Sequence, residues 1–261
     1  MPGTASNQKS KASEAVYVFG SDLGGTNDKE TAAFAVLVHG ADASNASGPS
    51  GNAYAIPYRN SSRDLLPLEV IKNYVDTLLN YVEENQQITF QVARFGCESE
   101  AHDDEAMARL FSKAPKNCQL PGRWTRILDP KQAGRLLVFD PGAHLIEEKW
   151  QARLRQYLSL NAPLWNVPSV EIVSVGQARA IVANEAGAKS LGLKHRVFGP
   201  NEAYYGKNAQ MAAENKAIWY STHLLSMFDF EITAQPQQIR LMSIATRSGL
   251  TVEQLDTQLI D

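Results

Sequence analysis

The sequence predicts an α/β protein made of two Rossmann-like, three-layer domains with mostly parallel sheets. Short apolar, β-rich runs alternate with longer segments of helical periodicity, a pattern typical of a parallel sheet with helices on both faces. The alternation restarts near residue 135, where RLLVFDPGAHL (135–145) resembles the strand and turn at residues 16–24. A chain of 261 residues, 44% of them hydrophobic, is long enough for two domains of ordinary size.

The first domain is predicted to span residues 15–125, after a disordered tail at residues 1–14. Its strands are predicted from short β-rich runs, namely VYVFG (16–20), AYAIPY (53–58) and ITFQVARFG (88–96). Its helices are predicted from small or apolar residues at helical spacing and from acids in a first turn, namely TAAFAVLVHG (31–40), LPLEVIKNYVDTLLNYVEEN (66–85) and DDEAMARLFSKAP (103–115). The Gly-, Ser- and Asn-rich residues 41–53 are predicted to form a loop.

Residues 117–134 have Pro and Gly at both ends and are predicted to connect the domains, with 126–134 as the linker proper. The second domain is predicted to span residues 135–261. Its predicted strands are RLLVFDPGAHL with its turn (135–145), VEIVSVG (170–176), HRVFG (195–199) and LLSMFD (224–229). Its predicted helices lie at 147–160, 177–192, 208–223 and 239–249.

Composition limits the possible partners. A net charge of −3 gives no electrostatic attraction to nucleic acid or to an anionic membrane, so we expect neither as a partner. We find no apolar run of about 18 residues, and residues 1–14 lack the apolar core of a signal peptide. Two cysteines, Cys97 and Cys118, suit a reducing compartment. We therefore expect a cytoplasmic protein, and we expect no cofactor.

A Gly-rich turn follows the first predicted strand. DLGGTN (22–27) is similar to the phosphate-binding turn of sugar kinases of the actin-like ATPase class. That resemblance implies that Asp22 carries a metal ion and that the glycines approach the phosphates. The class also needs a second phosphate loop, for which FDPGAH (139–144) is a poor match.

A longer collinear resemblance covers residues 16–124. The segments that carry it are VFGSDLGG, YAIP, LPLEVIKNYV, FQVARFGC, DDEAMARLF and NCQLPGRW. In this order they resemble a family of small phage-encoded proteins whose loop order is similar to that of macro domains. The resemblance implies an ancestral pocket for ADP-ribose-like ligands, held against glycine loops.

A second set of segments lies in the second half of the chain, namely VFDPGAH, VGQARAIVANEAGAKSLGL (175–193), VFGPNEAYYGKNAQMAAENKAI (197–218), HLLSMFD and IRLMSIATRSGL. In this order they resemble the nucleotide-sensing and nucleotide-processing Rossmannoid proteins related to LOG and DprA, the SLOG-like domains. The YYGKNA stretch (204–209) is the most specific of these segments. This resemblance implies a second ancestral nucleotide pocket.

Both implied pockets differ from their families at the positions that contact phosphate. Glycine N–H groups that point at an anion form such pockets, and a carboxylate in the wall repels the anion. Acids replace expected glycines in the first half at Asp28, Glu30, Glu98 and Glu100. In the second half, Gln177 and Ala180 replace glycines, Val182 replaces an acid, and Glu214 replaces an arginine. We interpret these changes together as erosion of both pockets.

Several groups have two interpretations. Glu98, Glu100, His102, Asp103 and Asp104 form either a site for a hard cation or a loop and the acidic first turn of a helix. Cys97 is a nucleophile or a small packed residue, and Lys29, Arg179 and Lys207 are anion clamps or surface charges. The histidines at 39, 144, 195 and 223 form no spaced pair that predicts a metal site. The tryptophans at 124, 150, 165 and 219 are predicted to pack in cores or between domains.

The sequence thus predicts a non-catalytic protein-interaction module or adaptor, built from two decayed nucleotide-binding domains, with phage or host proteins as partners. The resemblance implies a phage setting: host takeover, evasion of host defence, or a phage assembly such as protein import. One alternative is a sugar-kinase-like ATPase, which DLGGTN (22–27) implies. The main alternative is a binder or hydrolase of ADP-ribose-like or nucleotide signals. In that alternative the ligand is bound by Gly20, Ser21, Gly25, Lys29, Gly96, Cys97, Gly176, Arg179, Lys207 and Asn215.

Overall fold

The computed structural model describes residues 14–26, 30–97, 102–139, 147–165, 169–176, 178–228 and 236–256. It confirms the predicted fold class, because helices flank two five-stranded sheets that are mostly parallel. The chain divides into two compact units. Unit 1 combines Met1–Val92 with Lys113–Gln119, and unit 2 combines Ala93–Ser112 with Leu120–Asp261. The predicted tail at residues 1–14 lies almost entirely outside the described residues.

Unit 1 contains the elements β1 (Val16–Asp22), α1 (Glu30–His39), β2 (Gly48–Ser50), β3 (Ala53–Arg59), α2 (Leu68–Glu84), β4 (Phe90–Val92) and β5 (Cys118–Gln119). The strand order is β2-β3-β1-β4-β5, and all pairs are parallel except β2 with β3. Helix α2 buries the apolar side chains that its spacing predicts, namely Ile71, Val75, Leu78, Leu79 and Val82. Their removal from water is the main contribution of this helix to stability.

Unit 2 contains α3 (Asp104–Leu110), α4 (Gly122–Leu128), β6 (Gly134–Phe139), α5 (Glu147–Asn161), β7 (Val170–Val175), α6 (Ala178–Ser190), β8 (Lys194–Phe198), α7 (Glu202–Tyr205), α8 (Ala209–Tyr220), β9 (His223–Phe228), α9 (Pro236–Arg247) and β10 (Thr251–Asp256). The strand order is β10-β9-β6-β7-β8, and every pair is parallel. The order reverses between β6 and β9, the kind of position at which open α/β sheets bind ligands.

Two segments, one predicted as a loop and one as a connection, contain regular secondary structure. The predicted loop at residues 41–53 contains β2, which forms a tight hairpin with β3 through Gly51. Gly51 has a φ of +58°, and a Cβ there would lie 2.1 Å from the carbonyl oxygen of Gly40. The predicted connection at residues 117–134 contains β5 and α4. The proline before α4 marks a helix start rather than a linker, because its missing N–H costs nothing at that position.

None of the helices that the structure describes is both long and apolar enough to span a bilayer.

Candidate functional site

In unit 1, N–H groups of the turn after β1 donate to oxygen atoms of the protein itself. Leu23 donates to the carbonyl oxygen of Arg59 at 3.0 Å, and Gly25 donates to the carbonyl oxygen of Asp22 at 3.1 Å. The N–H of Thr26 donates to Asp22 Oδ1 at 3.2 Å. A phosphate cradle needs these N–H groups to point at the anion. In the described part of this turn they instead hold the turn together.

Close packing explains Gly25 of the same turn. Gly25 has a φ of +66°, and a Cβ there would lie 2.4 Å from the carbonyl oxygen of Ser44. The neighbouring Ser21 is buried and donates its hydroxyl to the carbonyl oxygen of Ala46 at 2.6 Å. Gly20 lies inside β1, where it is also buried. Gly25 and Ser21 thus hold the loop at residues 44–46 against β1 and its turn.

Asp22, the metal carrier in the kinase resemblance, is also used internally. Its two carboxylate oxygens accept the hydroxyl of Thr26 at 3.1 and 2.9 Å, and the side chain is buried. This arrangement caps the turn. Asp28 and Lys29 lie outside the described residues, and so does the side chain of Glu30, the first residue of α1.

In unit 2, a buried carboxylate lies near the carboxyl end of β7. Gly176 follows β7 with a φ of +100°, and a Cβ there would lie 3.9 Å from the amide nitrogen of Gln210. Gln210 donates to Glu214 Oε1 at 3.0 Å, and Arg240 of α9 donates to Glu214 Oε2. Glu214 is only 1% exposed. A charge this deeply buried must be paired, and here Arg240 provides the opposite charge.

Two of the other predicted residues of this region, Asn215 and Lys207, have described side chains. Asn215 donates its side-chain amide to the carbonyl oxygen of Met211 at 2.8 Å, one turn earlier in α8. Lys207 is exposed in the 3₁₀ turn before α8. The backbone of Arg179 lies in α6, and its side chain is outside the described residues.

Unit 2 also contains an open cleft of about 830 Å³ beside α3 and α4. Its charged or reactive lining residues include Cys97, His102, Asp103, Asp104, Arg109 and Arg123. Asp103 caps α3 by accepting the N–H of Ala106 at 2.7 Å. Arg109 pairs with Glu105 one turn earlier. The interpretation of Asp103 and Asp104 as the acidic start of a helix is therefore confirmed.

Asp104 is the centre of the charge network in this cleft. It accepts Arg94 Nε at 2.8 Å, Arg94 Nη2 at 3.0 Å, Arg123 Nε at 2.5 Å and the indole N–H of Trp124 at 2.8 Å. Burial of the carboxylate acts to raise its pKa. The hydrogen bonds and positive charge of Arg94, with those of Trp124 and Arg123, outweigh burial and lower the pKa to about 2.

The two arginines also bind the end of α9. Arg94 Nη1 donates to the carbonyl oxygen of Arg247 at 2.7 Å, and Arg123 Nη1 donates to that of Gly249 at 2.8 Å. A helix carboxyl end attracts cations, since its last carbonyl groups lack partners and its dipole is negative there. The network thus fastens α3 and α4 to α9, and its charges are used for structure.

The third predicted glycine loop lies beside this network. Gly96 has a φ of +70° and accepts the N–H of His102 at 3.1 Å. Cys97 is half-buried, with its sulfur 3.4 Å from the carbonyl oxygen of Phe95. Glu98 and Glu100 lie outside the described residues. Within the described ranges, no three His, Cys, Asp or Glu side chains are placed to hold a metal ion.

The packing role predicted for tryptophan is confirmed at Trp124, which is fully buried with ring contacts to Phe95 and Phe111. Sequence reasoning missed Arg94, Arg123 and Arg240. Nothing in the sequence pairs Arg94 with Arg247, because 153 residues separate them. The charge reversal at Glu214 was the one signal that pointed to the buried cluster of unit 2.

No model of a known protein family matches the chain, and no curated protein matches it with significant similarity. The resemblances to the phage family and to the LOG- and DprA-related proteins therefore stay predictions.

Proposed function

We propose that this protein is a non-catalytic protein-interaction module, an adaptor built from two nucleotide-binding domains whose pockets have decayed. The observation that carries the proposal is the buried carboxylate of Glu214, which lies near the carboxyl end of β7 and pairs with the half-exposed Arg240. A retained α/β scaffold does not fix a function, and its surface can serve partners other than nucleotides. In the setting implied by the phage resemblance, the partners are phage or host proteins.

The charge of Glu214 disfavours a phosphate in this region. Two like charges about 4 Å apart repel by about 4 kcal/mol at an effective dielectric constant of 20. A phosphate that took Arg240 for itself would remove from the buried Glu214 the opposite charge that Arg240 provides. Such a loss typically costs about 3–5 kcal/mol, which exceeds what one phosphate contact returns.

Unit 1 supports the same proposal independently. The N–H groups of Leu23, Gly25 and Thr26 donate to protein oxygens, and the carboxylate of Asp22 is occupied by Thr26. An anion would have to break these bonds before it could be held by the turn. A buried donor left unpaired costs about 1–3 kcal/mol, so an opened turn is a poor phosphate site.

The first test measures ligand binding. Thermal unfolding is recorded with ADP-ribose, cyclic ADP-ribose and ATP, each at millimolar concentration. A ligand at 100 times its Kd would stabilise the fold by about 2.7 kcal/mol, and we expect no such shift. Stabilisation of the wild-type protein would contradict the proposal and support the alternative of an ADP-ribose or nucleotide binder or hydrolase.

A matched pair of variants tests the role of Glu214 directly. Glu214→Gln keeps the shape and a hydrogen bond to Gln210 but releases Arg240. We expect this variant to gain weak affinity for inorganic pyrophosphate, detected by calorimetry. Glu185→Gln removes an exposed acid from α6 and should gain none. Equal pyrophosphate affinity in both variants and in the wild type would contradict the proposal that the charge of Glu214 excludes phosphate.

The protein-binding half of the proposal is tested by affinity capture from bacterial cells, with and without infection. We expect a partner that is recovered reproducibly and saturably by the wild-type protein. An unrelated protein with a Rossmann-like fold serves as the control bait. Recovery of the same proteins by both baits would count against an adaptor role.

A further inference from the structure

Strand β8 forms one edge of the sheet in unit 2. It pairs with β7 through residues 194–198, and within the ranges that the structure describes no strand pairs with its other side. Lys194, Arg196 and Val197 are exposed. An edge strand presents backbone N–H and C=O groups that a further strand can use.

The two faces of β8 differ in chemistry, because successive side chains point to opposite faces of a sheet. Lys194 and Arg196 lie on the face toward α8, where Arg196 stacks on the ring of Tyr220 at 4.8 Å. Arg196 also pairs with Glu171 at 3.1 Å, and its side chain is still 52% exposed. This face of the edge therefore presents positive charge to solvent.

The face toward α6 presents apolar surface. His195 lies there, with its Nε2 2.9 Å from the hydroxyl of Ser174. Val197 follows on the same face and is 44% exposed. On α6, the helix that packs against β8, Val182 is 60% exposed. Both valines thus present apolar surface, one on the edge strand and one on the helix beside it.

We propose that β8 is a docking edge for an extended segment of a partner protein whose side chains alternate between acidic and apolar. The segment adds as a sixth strand, about 4.8 Å from β8, and its backbone supplies the affinity common to strand addition. Its acids face Lys194 and Arg196, and its apolar side chains cover Val197 and Val182. The proposal rests on the adaptor function and names the surface that performs it.

Charge decides between partner types. A second copy of β8 would bring the same lysine and arginine side chains together, and like charges across paired strands are destabilising. An acidic segment instead gains attraction, and an alternating one also buries the exposed valines. We therefore favour an acidic, alternating segment of another protein over self-association.

The test uses a defined probe, an acetylated and amidated octapeptide of alternating glutamate and valine with a fluorescent label. Binding to the full-length protein is followed by anisotropy. We expect Lys194→Glu to weaken binding about tenfold and Val197→Asn about fivefold. Lys113→Glu, a charge reversal of an exposed lysine in unit 1, should leave binding unchanged. A peptide of four glutamates followed by four valines should bind at least tenfold more weakly.

Hydrogen exchange separates strand addition from plain charge attraction. We expect amides of residues 194–198 of the protein to gain protection from exchange when the alternating peptide is bound. The peptide of four glutamates followed by four valines should give no such protection. The proposal would be overturned if both peptides bound equally well, or if the alternating peptide left the exchange of residues 194–198 unchanged. It would also be overturned if the free protein formed dimers in sedimentation. In affinity capture, a Lys194→Glu variant that still recovers the partner would contradict the docking edge but not the adaptor function. A wild-type protein that recovers no partner would contradict the adaptor function.

Discussion

Gly122 packs its backbone against the carbonyl oxygen of Tyr220. A Cβ atom on residue 122 would lie only 2.3 Å from that oxygen. Ser221 contributes a second carbonyl oxygen at 2.7 Å from the same Cβ position. The first residue of α4 thus abuts the end of α8. A helix start carries positive partial charge and a helix end negative partial charge, so this contact is electrostatically favourable as well as close.

The first prediction concerns this contact. Gly122→Ala forces the new methyl group onto two backbone oxygens that cannot rotate away, and we expect a loss of about 1–3 kcal/mol in the free energy of unfolding. Urea denaturation measures it. Gly199→Ala is the matched control, because a Cβ at residue 199 meets nothing within 4 Å. Equal losses of stability in both variants would show that the close approach to Tyr220 is not the reason why residue 122 must be glycine.

The second prediction concerns acid stability. Asp104 has a pKa of about 2 in the folded protein, against 3.8 for an unperturbed aspartate. A lowered folded pKa means that the contribution of Asp104 is complete above about pH 4 and is lost as the pH falls toward 2. With a discount for the half-exposed Arg123, we expect Asp104→Asn to cost about 2 kcal/mol at pH 7.

The measurement is urea denaturation of wild type and variant between pH 2 and pH 7. The difference between them should shrink as the pH falls through this range. Asp103→Asn is the control, because asparagine caps a helix about as well as aspartate does. A difference for Asp104→Asn that stays constant down to pH 2 would contradict the assigned pKa.

Much of the fold could be predicted because apolar periodicity is a local property. Helix α2, predicted at residues 66–85, spans Leu68–Glu84, and the alternation of strands and helices predicted two mostly parallel sheets. Strands β2 and β10 were missed since their pairing depends on β3 and β9 more than on their own composition. Helix α4 was missed because a Pro-Gly pair marks both linkers and helix starts.

The candidate site could be predicted less well. Glycine positions marked the turns correctly, but whether a glycine serves a ligand or a neighbouring loop depends on partners such as Ser44, far along the chain from Gly25. Likewise, Asp104 appears in the sequence as one acid among several. Its role depends on Arg94, Arg123 and Trp124, which only the folded chain brings together.

The third prediction distinguishes the two cysteines. Burial raises the pKa of the Cys118 thiol to about 12, so at pH 8 almost none of it is thiolate, the reactive form. Cys97 is half-buried and lines the open cleft beside α3. We expect the native protein to react with one equivalent of a disulfide reagent, and the urea-unfolded protein with two. Cys97→Ser should remove the fast thiol; if Cys118→Ser removes it instead, the assignment is wrong.

The fourth prediction concerns the unequal partners Glu214 and Arg240. Glu214 is 1% exposed, whereas the side chain of Arg240 is 43% exposed and can reach water when its partner is lost. Arg240→Met removes the cation that pairs with this buried carboxylate, and we expect it to cost about 3 kcal/mol or more. Glu214→Gln should cost about 1–2 kcal/mol, because no buried charge remains and Gln210 keeps an acceptor.

A double-mutant cycle measured by urea denaturation completes this test. In the variant Glu214→Gln with Arg240→Met, no buried carboxylate remains to lose the charge of Arg240, so the double change should cost less than the sum of the two single changes. We expect a coupling energy of about 1–3 kcal/mol. If the two costs are simply additive, the two side chains do not stabilise each other. The proposal that the carboxylate of Glu214 excludes phosphate from unit 2 would then be contradicted.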